Sequence, residues 1–303
     1  MTNRAMKTDR DLDVIVAGEA NVDLMVLGVP RIEFDKELPA RDMSLVLGGS
    51  SSIAAFNLAR LGARVGFVGF LGRDTFGDFV EERLRWAGID VSQIRRVQEP
   101  KTGITIWHEY KGRRAGVTYP GCIARLRGSD IPSSYLRRAK HLHAGAYFYQ
   151  EGFQPGAAAA FRRARRLGLT TSLDCNYDPK ETWDSHIFEV LRETDIFLPN
   201  DTEALKLTGC RTVEQAAEAL AKLARIVAIK RGPRGALVKC PEGSFSVKAL
   251  PCKVVDTTGA GDSFNAGFLS QFVKGKSLEE CARAGIRAGT RAVGAVGGTA
   301  AFE

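Results

Sequence analysis

Residues 254–267 read Val-Val-Asp-Thr-Thr-Gly-Ala-Gly-Asp-Ser-Phe-Asn-Ala-Gly. The β-branched pair at the start predicts the end of a strand, and the apolar residues from Phe264 onward recur at helical spacing. A strand that turns through Gly-Ala-Gly into a helix presents several backbone N–H groups at the positive end of the helix dipole. The run therefore predicts an anion site, most often for phosphate. The carboxylate of Asp262 would lie beside the anion, either as a helix cap or as a catalytic base.

On both sides of this run, strand-like and helix-like segments alternate along the chain. Strands are predicted over 14–17, 65–71, 141–145, 170–174, 196–198 and 226–229. Helices are predicted over 51–61, 76–86, 155–167, 185–193, 213–224, 262–273 and 278–293. This alternation is typical of a parallel sheet that is covered by helices on both faces.

Two segments, 24–47 and 101–122, interrupt the alternation because neither has helical periodicity. The second contains two runs of β-formers around Lys111 and Gly112, which predicts a hairpin, and 234–250 predicts another. Ligands of open parallel sheets bind beyond the carboxyl ends of the strands. We therefore expect the first two segments to form a small β-layer that acts as a lid over that end.

Composition narrows the class of protein. The chain has 303 residues, 44% of them apolar, and a net charge of +8 from 43 basic and 35 acidic residues. The basic excess lies in scattered arginine pairs without a nucleic-acid motif, so solvated surfaces are favoured over nucleic-acid binding. Six cysteines without a C-x-x-C pair predict free thiols in a reducing compartment. No signal-peptide core or membrane-spanning run is present, so we expect a cytoplasmic protein without membrane contact.

Two signatures together carry a family resemblance. The first comprises Gly48-Gly49, the run Asn-Leu-Ala-Arg-Leu-Gly at 57–62, and the spaced residues Gly69, Gly72, Asp74 and Gly77. The second is the run at 256–267. In this order they resemble the signatures of the ribokinase-like (PfkB) carbohydrate kinases, over nearly the whole chain. The resemblance implies one domain over 1–303 with a three-layer α/β/α fold, a central mostly parallel sheet and a small β-sheet lid. It also implies transfer of the γ-phosphate of MgATP to a hydroxyl of a sugar-like substrate.

The resemblance assigns roles to several groups of residues. Asp262 matches the catalytic base, and the amides of Gly259, Ala260 and Gly261 match the anion hole for the transferring phosphate. The remaining matches are Asn21, Asp23, Gly48 and Gly49 for the sugar, Asn200 and Glu203 for magnesium and phosphate, and Lys230, Gly232 and Gly235 for the nucleotide. Taken by themselves, Asn200–Glu203 would also fit a helix start, and Asn21 and Asp23 would fit a turn after a strand.

A monovalent cation is a further candidate. In relatives that potassium activates, an aspartate and carbonyl oxygens near the second signature and near the C-terminus bind the ion. The matching positions are Asp256, Thr258, Gly289, Ala292 and Gly294.

Two departures leave the acceptor open. Ile53 stands where the first signature usually has an asparagine that contacts sugar, and Asp178 stands where a later strand usually carries a basic residue. In the predicted hairpin Thr105, Trp107 and Glu109 share one face, so Trp107 could stack on a sugar or a nucleobase, or pack in a lid-to-lid homodimer. The alternatives to a sugar kinase are a nucleoside kinase of the same fold and a non-catalytic sugar-binding relative.

Overall fold

The computed structural model describes residues 10–29, 31–111, 113–184 and 186–303, without the side chains of Arg113 and Arg114. Its strands are β1 (Val14–Ala17), β2 (Asn21–Leu27), β3 (Asp42–Gly48), β4 (Val65–Gly72), β5 (Asp90–Val97), β6 (Ile104–Tyr110), β7 (Arg113–Tyr119), β8 (His141–Ala144), β9 (Thr170–Leu173), β10 (Ile196–Phe197), β11 (Ile226–Lys230), β12 (Ala236–Cys240) and β13 (Gly243–Val247). The helices are α1 (Ser50–Arg60), α2 (Thr75–Trp86), α3 (Ser133–Leu136), α4 (Gln154–Arg166), α5 (Ile187–Leu191), α6 (Asp201–Thr208), α7 (Val213–Leu220), α8 (Ala260–Phe272) and α9 (Leu278–Ala292).

Nine of the described strands form one large sheet in the order β13-β12-β11-β10-β9-β8-β1-β4-β5. All pairs from β11 to β5 are parallel, whereas β12 runs antiparallel to both of its neighbours. The predicted mostly parallel sheet is thus confirmed. The edge strand β5 was not predicted, because its Arg95-Arg96 pair breaks the apolar pattern of a buried strand.

Helices cover both faces of the large sheet, each over its own core. One core includes Tyr147 and Phe161 and receives α4, α5, α6 and α7. The other includes Phe67 and Phe268 and receives α1, α2, α8 and α9. The parallel strands between them are buried on both sides, which is why they read as continuous apolar runs. The predicted three-layer α/β/α arrangement is confirmed.

A second, four-stranded sheet has the order β3-β2-β6-β7. Here β2 pairs parallel with β6, and the other two pairs are antiparallel. Its strands come from the two segments predicted to be extended, but β2 begins at Asn21, earlier than expected. The alternative interpretation of Asn21 and Asp23 as a turn after a strand is excluded, since both residues lie on a strand and are buried.

Three predicted elements need correction. No strand forms at Val254 and Val255, which stay half-exposed, because the Val255 amide donates to the Val293 carbonyl at the end of α9 and so does not join the sheet. The helix predicted over 185–193 is reduced to α5, since His186 has a left-handed φ of 61°; Ser185 lies outside the described residues. The helix predicted over 213–224 ends at Leu220.

Within the described residues no helix is both long and apolar enough to cross a membrane.

Candidate active site

The N-terminus of α8 is the centre of the site. Gly259 occupies the N-cap position with a φ of 68°, a left-handed conformation that glycine adopts without strain. Asp262 lies one turn further inside the helix and does not occupy the cap position. A Cβ added at Gly261 would meet its nearest neighbour, Lys230 Nζ, at 3.5 Å. The amide end of α8 therefore faces open space.

Two cavities meet at this helix end. The polar cavity has a volume of about 700 Å³ and includes Asp262 and residues of the small sheet in its lining. The apolar cavity has a volume of about 640 Å³ and is lined by Ala260, Phe264, Ile286 and the segment around Val254. Lys230, Gly232 and Gly261 line both. Gly235, with a φ of 89°, and Gly289 belong to the apolar cavity.

The ammonium group of Lys230, at the end of β11, neutralises a buried carboxylate. Its Nζ lies 2.6 Å from Asp174 Oδ2, and the side-chain Nδ2 of Asn265 on α8 donates to the same oxygen. Burial alone would raise the pKa of Asp174, but Lys230 and these hydrogen bonds hold it below its usual value. The pKa of Lys230 is raised, because Asp174 and Glu203 outweigh the effect of burial. The cluster joins β9, β11 and α8 into one charged unit.

Asn200 and Glu203 form a capping box at the start of α6. Asn200 Oδ1 accepts from the Glu203 amide at 2.9 Å, and Glu203 Oε2 accepts from the Asn200 amide at 2.8 Å. Burial and the charge of Asp174 raise the pKa of Glu203 to about 7. The structure thus confirms that Asn200 and Glu203 begin a helix. This position is compatible with a second role of the two residues at a magnesium ion and phosphate.

Ligand atoms of Asp174, Cys175 and Glu203 lie within 4.8 Å of one another. The two carboxylates are hard oxygen donors of the kind that magnesium prefers. A buried carboxyl with a raised pKa also gains from a nearby cation. The carboxylates of Asp174 and Glu203 therefore fit a magnesium ion, whereas the thiol of Cys175 does not.

The glycine pair of the first signature makes room for two polar side chains. A Cβ at Gly48 would lie 2.3 Å from Asp23 Oδ1, and one at Gly49 would lie 2.5 Å from Asn21 Oδ1. Asn21 Nδ2 also donates to Asp23 Oδ1 at 3.3 Å. The structure thus brings all four predicted sugar-site residues together at the base of the small sheet.

Glu19 is a buried carboxylate of the polar cavity that sequence reasoning missed. It accepts from the amide of Ser51 at 3.1 Å and from its hydroxyl at 2.6 Å, at the N-terminus of α1. Burial raises its pKa to about 7 despite these bonds. Its position just after β1, at the carboxyl edge of the sheet, was the signal that could have found it.

The carboxyl group of Asp262 is buried and has a raised pKa. Burial raises its pKa well above the usual value, the charge of Asp174 adds to the shift, and Lys230 opposes it. Ser50 hydrogen-bonds the carboxylate, and the Ser50 hydroxyl in turn accepts from Asn176 Nδ2 at 2.6 Å. A carboxyl group with a raised pKa in a cavity is suited to accept a proton.

Ile53 and Asp178, the two residues that differ from the family's usual pattern, lie in different surroundings. Ile53 lines the polar cavity and packs against Gly298 and Gly259, so it places an apolar surface beside the helix end. Asp178 faces its own loop instead, where it accepts from the amides of Lys180, Thr182 and Trp183 at 2.7–2.9 Å. Asp178 thus organises a loop and does not line the cavity.

The candidate potassium positions lie around the crossing of two loops. Asp256 Oδ1 accepts from the amide and hydroxyl of Thr258, and Asp256 Oδ2 accepts from the Gly297 amide at 2.9 Å. Gly289 and Ala292 belong to the end of α9, and Gly294 follows it. The structure brings the segment of Asp256 and Thr258 close to the end of α9. It does not establish that an ion binds between them.

Comparison with known proteins identifies the family. Residues 11–303 match the family described as "pfkB family carbohydrate kinase". The chain is 32% identical to the 2-dehydro-3-deoxygluconokinase of Bacillus subtilis, over 83% of this chain and 82% of that protein. It is 30% identical to the cytidine kinase of Thermococcus kodakarensis, over 91% and 94%. The solved ribokinase of Arabidopsis thaliana, in complex with ribose and ATP, superposes with a TM-score of 0.81 at 27% identity, covering 94% of each chain. The chain therefore belongs to the pfkB family of carbohydrate kinases.

Proposed function

We propose that the protein is an ATP-dependent kinase that transfers the γ-phosphoryl group to a hydroxyl of a carbohydrate-like substrate. The observation that carries the proposal is the position of Asp262, where the polar and apolar cavities meet at the N-terminus of α8. The polar cavity suits a polyhydroxy acceptor, and the apolar cavity suits the base and ribose of the nucleotide.

The residues then have the following roles in the reaction. Asp262 takes the proton from the acceptor hydroxyl as its oxygen bonds to the γ-phosphorus and the bond to the β-phosphate oxygen breaks, releasing ADP. The amides of Gly259, Ala260 and Gly261 stabilise the charge on the transferring group. Asn21, Asp23, Gly48 and Gly49 hold the acceptor. Lys230, Gly232 and Gly235 line the phosphate and nucleotide side.

Magnesium and potassium enter the proposal differently. Glu203 and Asn200, with Asp174, would hold magnesium directly or through water, and the ion would neutralise charge on the phosphates. Potassium would act at Asp256, Thr258, Gly289, Ala292 and Gly294, as an activator that orders the loop leading into α8. Equal rates in potassium and tetramethylammonium salts would reject the potassium role.

A screen of acceptors with ATP and magnesium, read as ADP formation and as product mass, tests the function. We expect phosphorylation of at least one carbohydrate and its loss in Asp262→Asn. If transfer is found only with nucleosides, the second candidate is correct: a nucleoside kinase in which Trp107, on the cavity wall, stacks on the base. ATP binding without transfer to any acceptor would favour the third, a non-catalytic sugar-binding relative.

A homodimer through the small sheet is part of the proposal. The face of this sheet that points away from the cavity exposes Met43, Leu45, Val117 and Tyr119. Such an apolar face is typical of an interaction site. We expect Met43→Lys to convert a dimer to a monomer in light scattering.

The six cysteines are free thiols, which supports a reducing, cytoplasmic location.

A further inference from the structure

Lys230 lies where the two cavities meet. Among the described residues, Lys230, Gly232 and Gly261 line both cavities, and Lys230 is the only one of the three with a charged side chain. Under the proposed function, the nucleotide occupies the apolar cavity and the acceptor occupies the polar cavity. The γ-phosphoryl group therefore crosses the region that Lys230 lines when it passes from one to the other.

The ammonium group of Lys230 lies at the amide end of α8. A Cβ added at Gly261 would meet Lys230 Nζ at 3.5 Å. Gly261 lies in the first turn of α8, where the free amides and the helix dipole favour an anion. The side chain of Lys230 is 12% exposed, so part of it still faces the cavity. A phosphoryl group at this helix end would therefore lie beside a cation.

The ammonium group is held in place and keeps one hydrogen for a ligand. Lys230 Nζ has three hydrogens to donate. It lies 2.6 Å from Asp174 Oδ2 and 3.4 Å from Asn265 Oδ1. Asn265 Nδ2 donates to the same oxygen of Asp174, so the two partners also fix each other. The third hydrogen of the ammonium group remains for an oxygen atom of a ligand.

The reaction gains from a cation at this point. Phosphoryl transfer is catalysed mainly by positioning and by stabilising negative charge on the phosphate oxygens. Among the described lining residues of the two cavities, Lys230 is the only lysine or arginine. Because Asp174 and Asn265 already hold its ammonium group, Lys230 would stabilise such charge without rearranging during the reaction.

We propose that Lys230 is a catalytic residue whose ammonium group donates a hydrogen bond to an oxygen of the transferring γ-phosphoryl group. This inference rests on the proposed kinase function and adds a residue to its mechanism. The acceptor oxygen bonds to the γ-phosphorus, the bond from phosphorus to the β-phosphate oxygen breaks with its electron pair left on ADP, and the acceptor proton goes to Asp262. Lys230 keeps its protons throughout. A residue that only held the nucleotide would instead act on the KM for ATP and not on kcat.

Two variants that differ only at position 230 test the proposal. They are Asp174→Asn and Lys230→Met/Asp174→Asn. Both lack the carboxylate of Asp174, so any loss that comes from this carboxylate is the same in both. We expect kcat to be at least about 100-fold lower in the double variant, because the ammonium group acts in the transition state. The KM for ATP should differ by less than about threefold.

Steady-state rates of ADP formation with D-ribose, D-glucose and cytidine as acceptors measure both constants. Circular dichroism and urea unfolding check that both variants are folded. Equal kcat values in the two folded variants, or a change confined to the KM for ATP, would overturn the proposal.

A restored charge at position 230 distinguishes catalysis from packing. Lys230→Arg/Asp174→Asn carries a cation that can contact phosphate, whereas Lys230→Met/Asp174→Asn has an uncharged side chain. We expect the arginine variant to regain at least about tenfold in kcat over the methionine variant. The same kcat in both would show that the positive charge does not act in the reaction.

Binding of a phosphoryl analogue separates failure of this proposal from failure of the kinase function. The probe is ADP with magnesium, titrated by calorimetry with and without aluminium fluoride, which mimics a transferring phosphoryl group. We expect the fluoride to tighten ADP binding at least about tenfold more in Asp174→Asn than in the double variant. That result supports the proposal even if no acceptor is phosphorylated, whereas an equal gain in both variants overturns it. If ADP does not bind to the parent protein at all, the kinase function fails and the proposal fails with it.

Discussion

The two cavities that meet at Gly261 are built in different ways. The apolar cavity draws mainly on two stretches near the C-terminus, 249–264 and 285–293, and on the loop after β11. The polar cavity gathers residues from β2, β6, β7, α1 and the loops after β8, β9 and β10. Under the proposed function, the charged and polar groups of the polar cavity would select the acceptor, whereas the apolar cavity would offer general packing for a nucleotide. The two cavities are therefore drawn largely from separate parts of the chain, and they share Lys230, Gly232 and Gly261.

The largest effect on activity is expected from a change at Asp262, where the two cavities meet. Asp262→Asn removes the proton acceptor but keeps the size of the side chain. We expect kcat to fall by about 10²–10⁴-fold with nucleotide affinity nearly intact. Steady-state kinetics and calorimetry with an ATP analogue measure both. A kcat close to that of the parent protein would show that Asp262 is not the base.

A substitution of Lys230 tests whether its positive charge stabilises the buried carboxylates where the two cavities meet. Lys230→Met leaves the carboxylates of Asp174 and Glu203 buried without their cation. We expect a loss of about 3–5 kcal/mol in the free energy of unfolding at pH 7, measured with urea. The double variant Lys230→Met/Asp174→Asn should recover part of that loss while remaining inactive. A single variant as stable as the parent would contradict a compensating role.

The difference between the cavities explains how much could be predicted from the sequence. The glycine-rich start of α8 depends on consecutive residues, so the sequence predicted this helix to within two residues of its first residue, Ala260. Glu19 is held by the amide and hydroxyl of Ser51, 32 residues away, and no local pattern marks that contact. Val254 and Val255 have strand propensity, but the Val255 amide donates to the Val293 carbonyl and not to a strand, a tertiary contact that no local pattern marks. Local patterns thus predict the layers and the helix that begins at Ala260, whereas the polar cavity depends on tertiary contacts.

Glu19, in the polar cavity, makes the stability of the folded protein depend on pH. Its pKa of about 7 in the folded state lies above the usual 4.5, so the folded protein holds a proton that the unfolded chain has lost. Stability therefore falls as pH rises through this window. We expect Glu19→Gln to be more stable than the parent at pH 8 by up to about 3 kcal/mol, and equal near pH 4.5. Urea unfolding at both pH values measures this.

An exposed glutamate provides the control for that experiment. Glu37→Gln should leave the stability difference between the two pH values unchanged, because Glu37 is solvent-exposed. If Glu19→Gln changes stability equally at both pH values, the effect is one of packing and not of titration.

Two matched glycine substitutions sharpen the comparison between the cavities. In Gly48→Ala the added methyl meets Asp23 Oδ1 at 2.3 Å, so the carboxylate must move. We expect the KM for the acceptor to rise about tenfold while the KM for ATP stays within about twofold, since small displacements of positioning groups weaken transfer strongly. Initial rates with each substrate varied in turn measure the two constants.

Gly261→Ala should do the opposite, because its added methyl meets no protein atom closer than 3.5 Å and enters the space where the phosphate would lie. Alanine is favoured over glycine inside a helix by about 0.5–1 kcal/mol, so the variant should be as stable as the parent or slightly more stable. Its KM for ATP should nevertheless rise, or its kcat fall, with acceptor binding little changed. A more stable protein that transfers phosphate poorly would place the anion at the end of α8. If instead Gly261→Ala kept full activity, or if Gly48→Ala weakened ATP and acceptor equally, the two cavities would not act as separate binding sites.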